Sequence, residues 1–329
     1  MDGNIAPVFA WRPQGGELTL RRRFRQPVEK LWAALTIPER LAAWMGVEWL
    51  GDAALLEGAA FSYRFRAMDI ESHGRVLRFD APFVLEHSWF DNLPPGAIVR
   101  WALEPVGTGS LLTLTHSFRE PEDAPRTAAG WTDLLDSLAT SLDEQVEPKS
   151  FPVLRDHFAT LFPPQATRDG RVISIDGAQV LRFERRLAHA PEAVWAALAE
   201  PAALARWMQA DAVVDPLEGG RFQLKFHAFD HAMLGQITRW SPPNVLEYTW
   251  PEAEAGGDSV VRWEVSDAPG GSLLVLTHRF RKAVVLADFA SGWHWHLDAL
   301  DKALLGEARK FDRPRWELLR KMYIGTLNG

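Results

Sequence analysis

Cysteine is absent from this 329-residue sequence, and its absence excludes disulfides, thiol catalysis and cysteine-ligated zinc. Long apolar runs are absent as well, since none approaches the ~18 residues that a membrane-spanning helix needs. The opening stretch, MDGNIAPVFAWRPQ, lacks the basic segment and following apolar segment of a secretory signal. We therefore expect a cytoplasmic protein that does not insert into membranes.

Motifs for metals, nucleotides and nucleic acids are also missing. The net charge is -7 and the arginines are scattered through candidate strands, which argues against a nucleic-acid partner. No HExxH, nucleophile-elbow or glycine-rich nucleotide motif occurs. His294 and His296 stand two residues apart, so they diverge on a helix, and no inward carboxylate is obvious beside them. We expect no metal and no cofactor.

Tryptophan, by contrast, is abundant, with 15 copies in the chain. Indole rings in such number either fill cores or line concave surfaces. The length suits about two domains of ~150 residues, each large enough to bury its own core.

An internal duplication organises the chain. Residues 18–45 align without a gap on residues 181–208, and GWTDLLDSLATSL from Gly130 aligns on GWHWHLDALDKAL from Gly292. The Pro-Pro at 163–164 and the Asp-Gly at 169–170 mark a junction between the copies. We predict two domains, residues 1–170 and 171–329, with QATRDGRVISIDGAQ as the linker.

Each repeat has the same order of predicted elements: a strand, two short helices, several alternating strands, a long helix and a final short amphipathic helix. Strands joined by turns form an antiparallel sheet, and their alternation requires one face to be covered. The long helix is predicted to cover that face through one stripe, which in repeat 2 consists of Trp293, His296, Leu297, Leu300 and Leu304. The predicted class is α+β.

Several motifs together resemble one known superfamily. They are PERLAAWM and PAALARWM, the EGGRF turn, LLVLTHRF and SGWHWHLDAL. This pattern resembles the START-like (SRPBCC, Bet v 1-like) superfamily, and within it the group named after the C-terminal domain of the heat-shock-protein-90 ATPase activator. The resemblance implies a helix-grip fold, here in tandem, with a cavity for lipids or other apolar small molecules. It implies no single reaction, and the co-chaperone activity relies on a further domain for which we see no counterpart.

A curved sheet leaves a gap where it separates from its helix, and this gap is a candidate hydrophobic pocket for an apolar or lipid-like ligand. The candidate ligand-binding residues are aromatic, histidine and leucine side chains of the sheets and helices. They are Trp44, Tyr63, Phe65, Trp89, His116, Trp131, Trp207, Phe226, Tyr248, Trp250, His278, Trp293, His296 and Leu297.

Three of the histidines are candidates for chemistry. His116 and His278 alternate with leucines on one strand face and therefore point towards the covered side, and His296 lies one helical turn from Trp293. An inward histidine is either a structural imidazole with both nitrogens hydrogen-bonded, or a ligand anchor or general acid/base. We favour the structural interpretation for His116 and His278.

Three functions stay open on the sequence. The favoured one is binding of apolar or amphipathic small molecules without catalysis. The alternatives are a cyclase, dehydratase or hydrolase that uses a pocket histidine, and a co-chaperone-like module that binds a protein partner. Because repeat 1 has Thr132 and Leu134 where repeat 2 has His294 and His296, we expect repeat 2 to have the more polar pocket and to respond more to pH between 5 and 8.

Overall fold

The computed structural model describes residues 4–12, 15–50, 55–89, 96–118, 123–162, 166–228, 231–252, 257–281 and 284–327. The chain forms two compact units, Met1–Thr167 and Arg168–Gly329, which we call the first unit and the second unit. Arg168 and Asp169, which precede the boundary predicted near residue 170, belong to the second unit and are buried there. The predicted domain boundaries, residues 1–170 and 171–329, stay a prediction.

The first unit is one antiparallel sheet with four helices. Its elements are β1 (Asn4–Arg12), β2 (Gly15–Phe24), α1 (Val28–Thr36), α2 (Pro38–Met45), β3 (Val47–Leu50), β4 (Ala60–Phe65), β5 (Ile70–Asp80), β6 (Val84–Trp89), β7 (Ala97–Val106), β8 (Gly109–Phe118), α3 (Ala124–Ser141) and α4 (Phe151–Leu161). The strand order is β1-β2-β8-β7-β6-β5-β4-β3.

The second unit repeats this plan. Its elements are β9 (Arg171–Ile175), β10 (Ala178–Leu187), α5 (Pro191–Ala199), α6 (Pro201–Met208), β11 (Ala210–Val214), β12 (Arg221–Phe226), β13 (His231–Ser241), β14 (Val245–Glu252), β15 (Gly257–Ala268), β16 (Gly271–Phe280), α7 (Leu286–Leu304) and α8 (Arg313–Leu327). The strand order is β11-β12-β13-β14-β15-β16-β10-β9. The predicted α+β helix-grip fold, duplicated in tandem, is confirmed.

One predicted linker is partly a strand. The stretch QATRDGRVISIDGAQ contains β9, which pairs antiparallel with β10 through the register Ile175↔Ala178. The intervening Asp176 and Gly177 both have positive φ, 51° and 75°, as a two-residue hairpin turn requires. Asp-Gly between alternating apolar residues is a strong hairpin signal, and this one lies inside the stretch that the sequence analysis assigns to the linker. The strand β1 at the edge of the first sheet was also not predicted.

The two short helices of each unit are fixed by the same contact. The indole N–H of Trp44 donates to the backbone carbonyl of Ala34 at 2.9 Å, and Trp207 donates likewise to Ala197 at 2.8 Å. The second helix of each pair ends at a left-handed residue, α2 at Gly46 and α6 at Gln209. Trp44 and Trp207 therefore hold the helix pair together as parts of the core.

The long helix α7 is buried on more than the predicted stripe. Trp293, Leu297 and Leu300 belong to the core of the second unit, as the pattern indicates. His294 and Asp298 are buried too, because α8 packs against α7 from another side. The sequence pattern did not reveal this second covered face. Within the described part of the chain, none of the helices has the length and apolar character needed to cross a bilayer.

Candidate functional site

A pocket of about 170 Å³ lies in the second unit, beside the middle of the long helix α7. Its walls come from the end of α6, the end of β12, the helix α7, and the chain that leads from α7 into α8. The lining residues are Met208, Gln209, Phe226, Ala228, Gly292, Trp295, His296, Phe311 and Trp316. All are uncharged or aromatic, and His296 and Gln209 are the polar members among them.

Gln209 holds the outer wall of this pocket in place. Its amide nitrogen donates to the backbone carbonyl of Arg309, and its amide oxygen accepts the backbone N–H of Phe311 at 3.1 Å. The Phe311 ring then packs edge-on against Trp295, with centroids 5.3 Å apart. One side chain thus fixes residues 309–311 over the pocket by binding both a carbonyl and an N–H of the passing backbone.

The imidazole of His296 is neutral around pH 7. Burial lowers the pKa of His296 to about 4, and a hydrogen bond to the backbone of Trp207 acts weakly in the opposite direction. Its Nδ1 is buried without a hydrogen-bond partner, as is the indole Nε1 of Trp295. Both nitrogens are covered by protein atoms and have almost no accessible surface, so neither is presented to the pocket.

The first unit has an open pocket of about 290 Å³ on strands β3, β4 and β5, lined by Leu50, Ala60, Phe61, Ser62, His73, Gly74 and Arg75. It also has a cavity that is much smaller than the pocket of the second unit. It measures about 20 Å³, which is room for about one water molecule. It lies between α1, α2 and the sheet, and is lined by Leu35, Leu41, Met45, Trp49, Leu55, Phe61, Tyr63, Leu85, His87, Trp89 and Trp101. In the second unit the residues that align with Phe61 and His87 are Phe222 and Tyr248, whose rings stack at 3.7 Å.

His278 has both ring nitrogens hydrogen-bonded within the core. Nδ1 accepts the indole N–H of Trp293 at 3.1 Å, and Nε2 lies 2.8 Å from the hydroxyl of Ser259. That hydroxyl donates to the backbone carbonyl of Trp250 at 2.9 Å, so Nε2 carries the proton that reaches the serine oxygen. Burial lowers the pKa of His278 to about 3. A buried imidazole with both nitrogens hydrogen-bonded is what we expect of a structural histidine.

His116 is held in a similar way in the first unit. Its Nδ1 accepts the indole N–H of Trp131 at 2.9 Å. Ala97 stands at the position that aligns with Ser259, so the first unit lacks the serine hydroxyl. His116 is only 2% exposed and does not line either cavity described above.

The predicted ligand-binding residues are distributed over three environments. Phe226 and His296 line the pocket of the second unit, and Tyr63 and Trp89 line the small cavity of the first. The others pack within the cores and line neither space: Trp44, Phe65, His116, Trp131, Trp207, Tyr248, Trp250, His278, Trp293 and Leu297. Their role in ligand binding stays a prediction.

The expected pH response of repeat 2 between pH 5 and 8 is wrong for these histidines. With pKa values of about 3 and about 4, His278 and His296 are neutral throughout that range. The prediction assumed a histidine that titrates near its ordinary value, whereas burial without a neighbouring carboxylate disfavours the charged form.

Seven pocket residues were missed by the sequence reasoning: Met208, Gln209, Ala228, Gly292, Trp295, Phe311 and Trp316. Trp295 was hidden because it lies off the apolar stripe of α7. Phe311 and Trp316 follow the long helix, in a stretch for which the pattern predicts only a short amphipathic helix. The aromatic residues near the start of that helix were the one available signal.

A buried charge cluster beside α7 was also missed. Asp298 receives hydrogen bonds from Arg168 at 2.9 Å and from Arg315 at 3.1 Å. Within 4 Å of its carboxylate lie also Arg185, Arg309 and His294. Burial acts to raise the pKa of Asp298, but His294 and the arginines outweigh it and hold the pKa well below the usual range. An inward carboxylate therefore does lie beside His294, contrary to our reading of the sequence.

The cluster has a simpler counterpart in the first unit. Arg22 of β2 donates to Asp136 of α3, and these residues align with Arg185 and Asp298 in the duplication. The pairing of a strand arginine with a helix aspartate is thus common to both repeats. Among the described residues, no group of three or more histidines and carboxylates is arranged to hold a metal ion.

Comparison with protein families gives one match. The family described as Activator of Hsp90 ATPase homolog 1-like protein matches residues 25–143 and 188–305, once in each repeat and over more than half of the chain. The chain belongs to this family. The matched regions run from α1 to α3 in the first unit and from α5 to α7 in the second, and they leave out the strands β1, β2, β9 and β10. No curated protein matches the sequence.

Several solved structures are similar to the chain. CalU16 from Micromonospora echinospora is 26% identical, and the alignment covers 47% of this chain and 95% of CalU16 with a TM-score of 0.38. The protein encoded by BPP1335 of Bordetella parapertussis is 29% identical, with 47% and 90% covered and a TM-score of 0.38. DynU16, from the dynemicin biosynthetic locus, is 18% identical, with 87% and 97% covered and a TM-score of 0.40.

Proposed function

We propose that the protein binds an apolar or amphipathic small molecule in the pocket of the second unit. The observation that carries this proposal is a space of about 170 Å³ lined by Phe226, Trp295, Phe311 and Trp316. Concave sites with aromatic walls and few polar groups are the usual form of small-molecule sites. The apolar cavity of the first unit, at about 20 Å³, is too small for the same role, and the open pocket of about 290 Å³ in that unit is lined in part by the polar Ser62 and His73 and the charged Arg75.

Binding is favoured over catalysis by the state of the histidines. A general acid or base works best with a pKa near the working pH. The pKa of His296 is about 4 and that of His278 about 3, and His278 is also tied into the core by two hydrogen bonds. These properties suit an uncharged hydrogen-bonding group in a binding site.

Gly292 offers a direct test, because it lines the pocket and a Cβ built on it meets no heavy atom within 4 Å. Gly292→Leu should place a side chain in the pocket without a clash with the helix. Gly130→Leu is the matched control, since Gly130 occupies the aligned position of α3 and is equally open.

We expect toluene, titrated into the full-length protein and followed by NMR, to bind the wild type and Gly130→Leu with equal affinity. Gly292→Leu should weaken toluene binding by at least about tenfold, since the buried apolar area of the ligand is lost at ~25 cal/mol per Å². Binding that survives unchanged in Gly292→Leu would place the site elsewhere, and no binding to the wild type would contradict the proposal.

A further inference from the structure

The open pocket of the first unit lies on the outer face of its sheet, the side that is turned away from the core. Ala60 and Ser62 of β4 alternate with the buried Phe61 and therefore point outwards. Their partners on β5 are Arg75 and His73, respectively. The small side chains of Ala60 and Ser62 lie among longer ones, and the space above them measures about 290 Å³.

Arg75 brings a positive charge to this pocket. Its Nη1 donates to the backbone carbonyl of Gly58 at 2.7 Å. In the part of the chain that the structure describes, Arg75 forms no ion pair with a carboxylate, unlike Arg64 and Arg78 at the same end of the sheet. A guanidinium has five N–H groups, so Arg75 has donors left for a ligand.

The second unit shows that the bond to the turn does not need an arginine. Gln236 aligns with Arg75, and its Nε2 donates at 2.9 Å to the carbonyl of Gly219, which aligns with Gly58. A neutral side chain therefore holds this turn as well. The positive charge of Arg75 is an additional feature of the first unit.

The space itself is also particular to the first unit. The positions of Ala60 and Ser62 are taken in the second unit by the longer Arg221 and Gln223. The guanidinium of Arg221 is bound to Asp215 at 2.8 Å. In the second unit, the aligned part of the outer face thus has larger side chains and a paired charge.

The carboxylates around the pocket are bound to other groups. Glu71 is four residues from Arg75 along β5, about 13 Å at ~3.3 Å per residue, which exceeds the screening length of about 8 Å at physiological salt. The partners of the neighbouring carboxylates are Arg64 for Glu71 at 3.4 Å, Arg100 for Glu86 at 3.1 Å, and the backbone N–H of Phe79 for Glu57 at 3.2 Å. Arg75 is left as the cation that a ligand can neutralise.

The remaining walls restrict the ligand further. Arginine N–H groups bind the two oxygens of a carboxylate as a matched pair. Ser62 lies diagonally across the strand pair from Arg75, with Cα atoms about 7–8 Å apart, and its hydroxyl has no hydrogen bond within the described part of the chain. Leu50, the partner of Ser62 on β3, adds an apolar wall. These groups together match a molecule that has both a carboxylate and an apolar part.

We propose that the open pocket of the first unit binds a small organic carboxylate, with the carboxylate on Arg75 and the apolar part against Leu50 and Ala60. This site is separate from the pocket of the second unit. It goes beyond the proposed function and does not depend on it.

The test compares three probes on the full-length protein: benzoate, its neutral analogue benzamide, and inorganic phosphate. Arg75→Gln removes the charge and installs the residue that holds the aligned turn in the second unit. Arg78→Gln is the matched control, because it removes the same charge from the same strand at a residue that does not line the pocket. Backbone amide signals of Ser62 and His73, followed by NMR, report binding at this site.

We expect benzoate to shift these signals in a saturable titration. Arg75→Gln should weaken benzoate binding by about fivefold, as for one charge-assisted contact at a surface. Arg78→Gln should leave it within about twofold, because solvent screens a charge outside the pocket. Benzamide lacks the charge and phosphate lacks the apolar part, so each should bind at least about threefold more weakly than benzoate.

The inference is overturned if benzamide or phosphate binds as tightly as benzoate, or if the two arginine variants weaken benzoate binding equally. It is also overturned if benzoate causes no saturable shift in β4 and β5 of the wild type. The three probes on the wild type decide the result even if Arg75→Gln loses the dispersed spectrum of a folded protein. Toluene binding in the second unit is a separate measurement, and none of these outcomes bears on it.

Discussion

Asp298 is the residue at which the two repeats differ most in their buried charges. In the first unit, Asp136 is hydrogen-bonded by Arg22. In the second unit, Asp298 is 4% exposed and is hydrogen-bonded by both Arg168 and Arg315. A buried ion pair contributes little net stability when intact, but removal of one partner leaves the other charge buried and uncompensated.

We expect Asp298→Asn to destabilise the second unit by about 3–5 kcal/mol, because several arginines lose their counter-charge at once. Asp136→Asn is the matched variant and should cost about 1–3 kcal/mol in the first unit, as for one charged hydrogen bond. Native-state hydrogen exchange of peptides from each unit measures the two effects separately. Equal losses in both variants would contradict the role that we assign to the cluster.

At the scale of elements, the second unit adds a wall that its long helix alone would not provide. Residues 309–311 cross the pocket and are held there by Gln209, which follows α6. Gln209 adopts a left-handed conformation, with φ 51°, where the first unit has Gly46 with φ 67°. Such a conformation is strained for a residue with a Cβ by about 1–2 kcal/mol. The side-chain bonds to the passing backbone offset this strain.

Two substitutions of Gln209 separate the strain from the bonds. Gln209→Ala and Gln209→Gly both lose the two hydrogen bonds, so cleavage of residues 305–312 by a protease should rise by roughly tenfold, for ~1.4 kcal/mol of lost local stability. Only Gln209→Gly also relieves the left-handed strain, so it should be the more stable of the two by up to about 1 kcal/mol. Unchanged protection of residues 305–312 in both variants would show that Gln209 does not hold the wall.

At the scale of the second unit as a whole, stability depends on keeping two histidines neutral. Burial lowers the pKa of His278 to about 3 and that of His296 to about 4, below the ordinary value of 6.5. Between about pH 6.5 and pH 4 the unfolded chain therefore binds more protons than the folded one. The free energy of unfolding must rise with pH in this window and fall on acidification.

We expect this free energy to fall by about 1.4 kcal/mol per pH unit for each of the two histidines as the pH drops from 6.5 towards 4. His278→Gln removes one titrating group and should reduce the slope by that amount. Ser259→Ala removes a hydrogen bond of His278 but leaves it titratable, so it should lower the stability and keep the slope. Exchange of the slowest amides of β10, β15 and β16 against pH measures both, and an unchanged slope in His278→Gln would refute the linkage.

The duplication, the order of the elements and an antiparallel sheet covered by a long helix were all predictable from the sequence. These follow from local patterns, since alternation marks a strand and a stripe at helical spacing marks the long helix. The inward direction of His116 and His278 was also correct for the same reason. The missed β9 was a fault of interpretation, because the Asp176-Gly177 turn was there to be read.

Tertiary structure alone decided where the pocket lies and which charges are buried. The lining residues come from four separated segments, around Met208, Phe226, Gly292 and Phe311, and no spacing in the chain relates them. Whether an aromatic cluster encloses a cavity depends on how closely its rings pack. Phe222 and Tyr248, for example, stack directly against each other. Such close packing is a property of side chains that meet in space, whereas periodicity reports only which face of one element is covered.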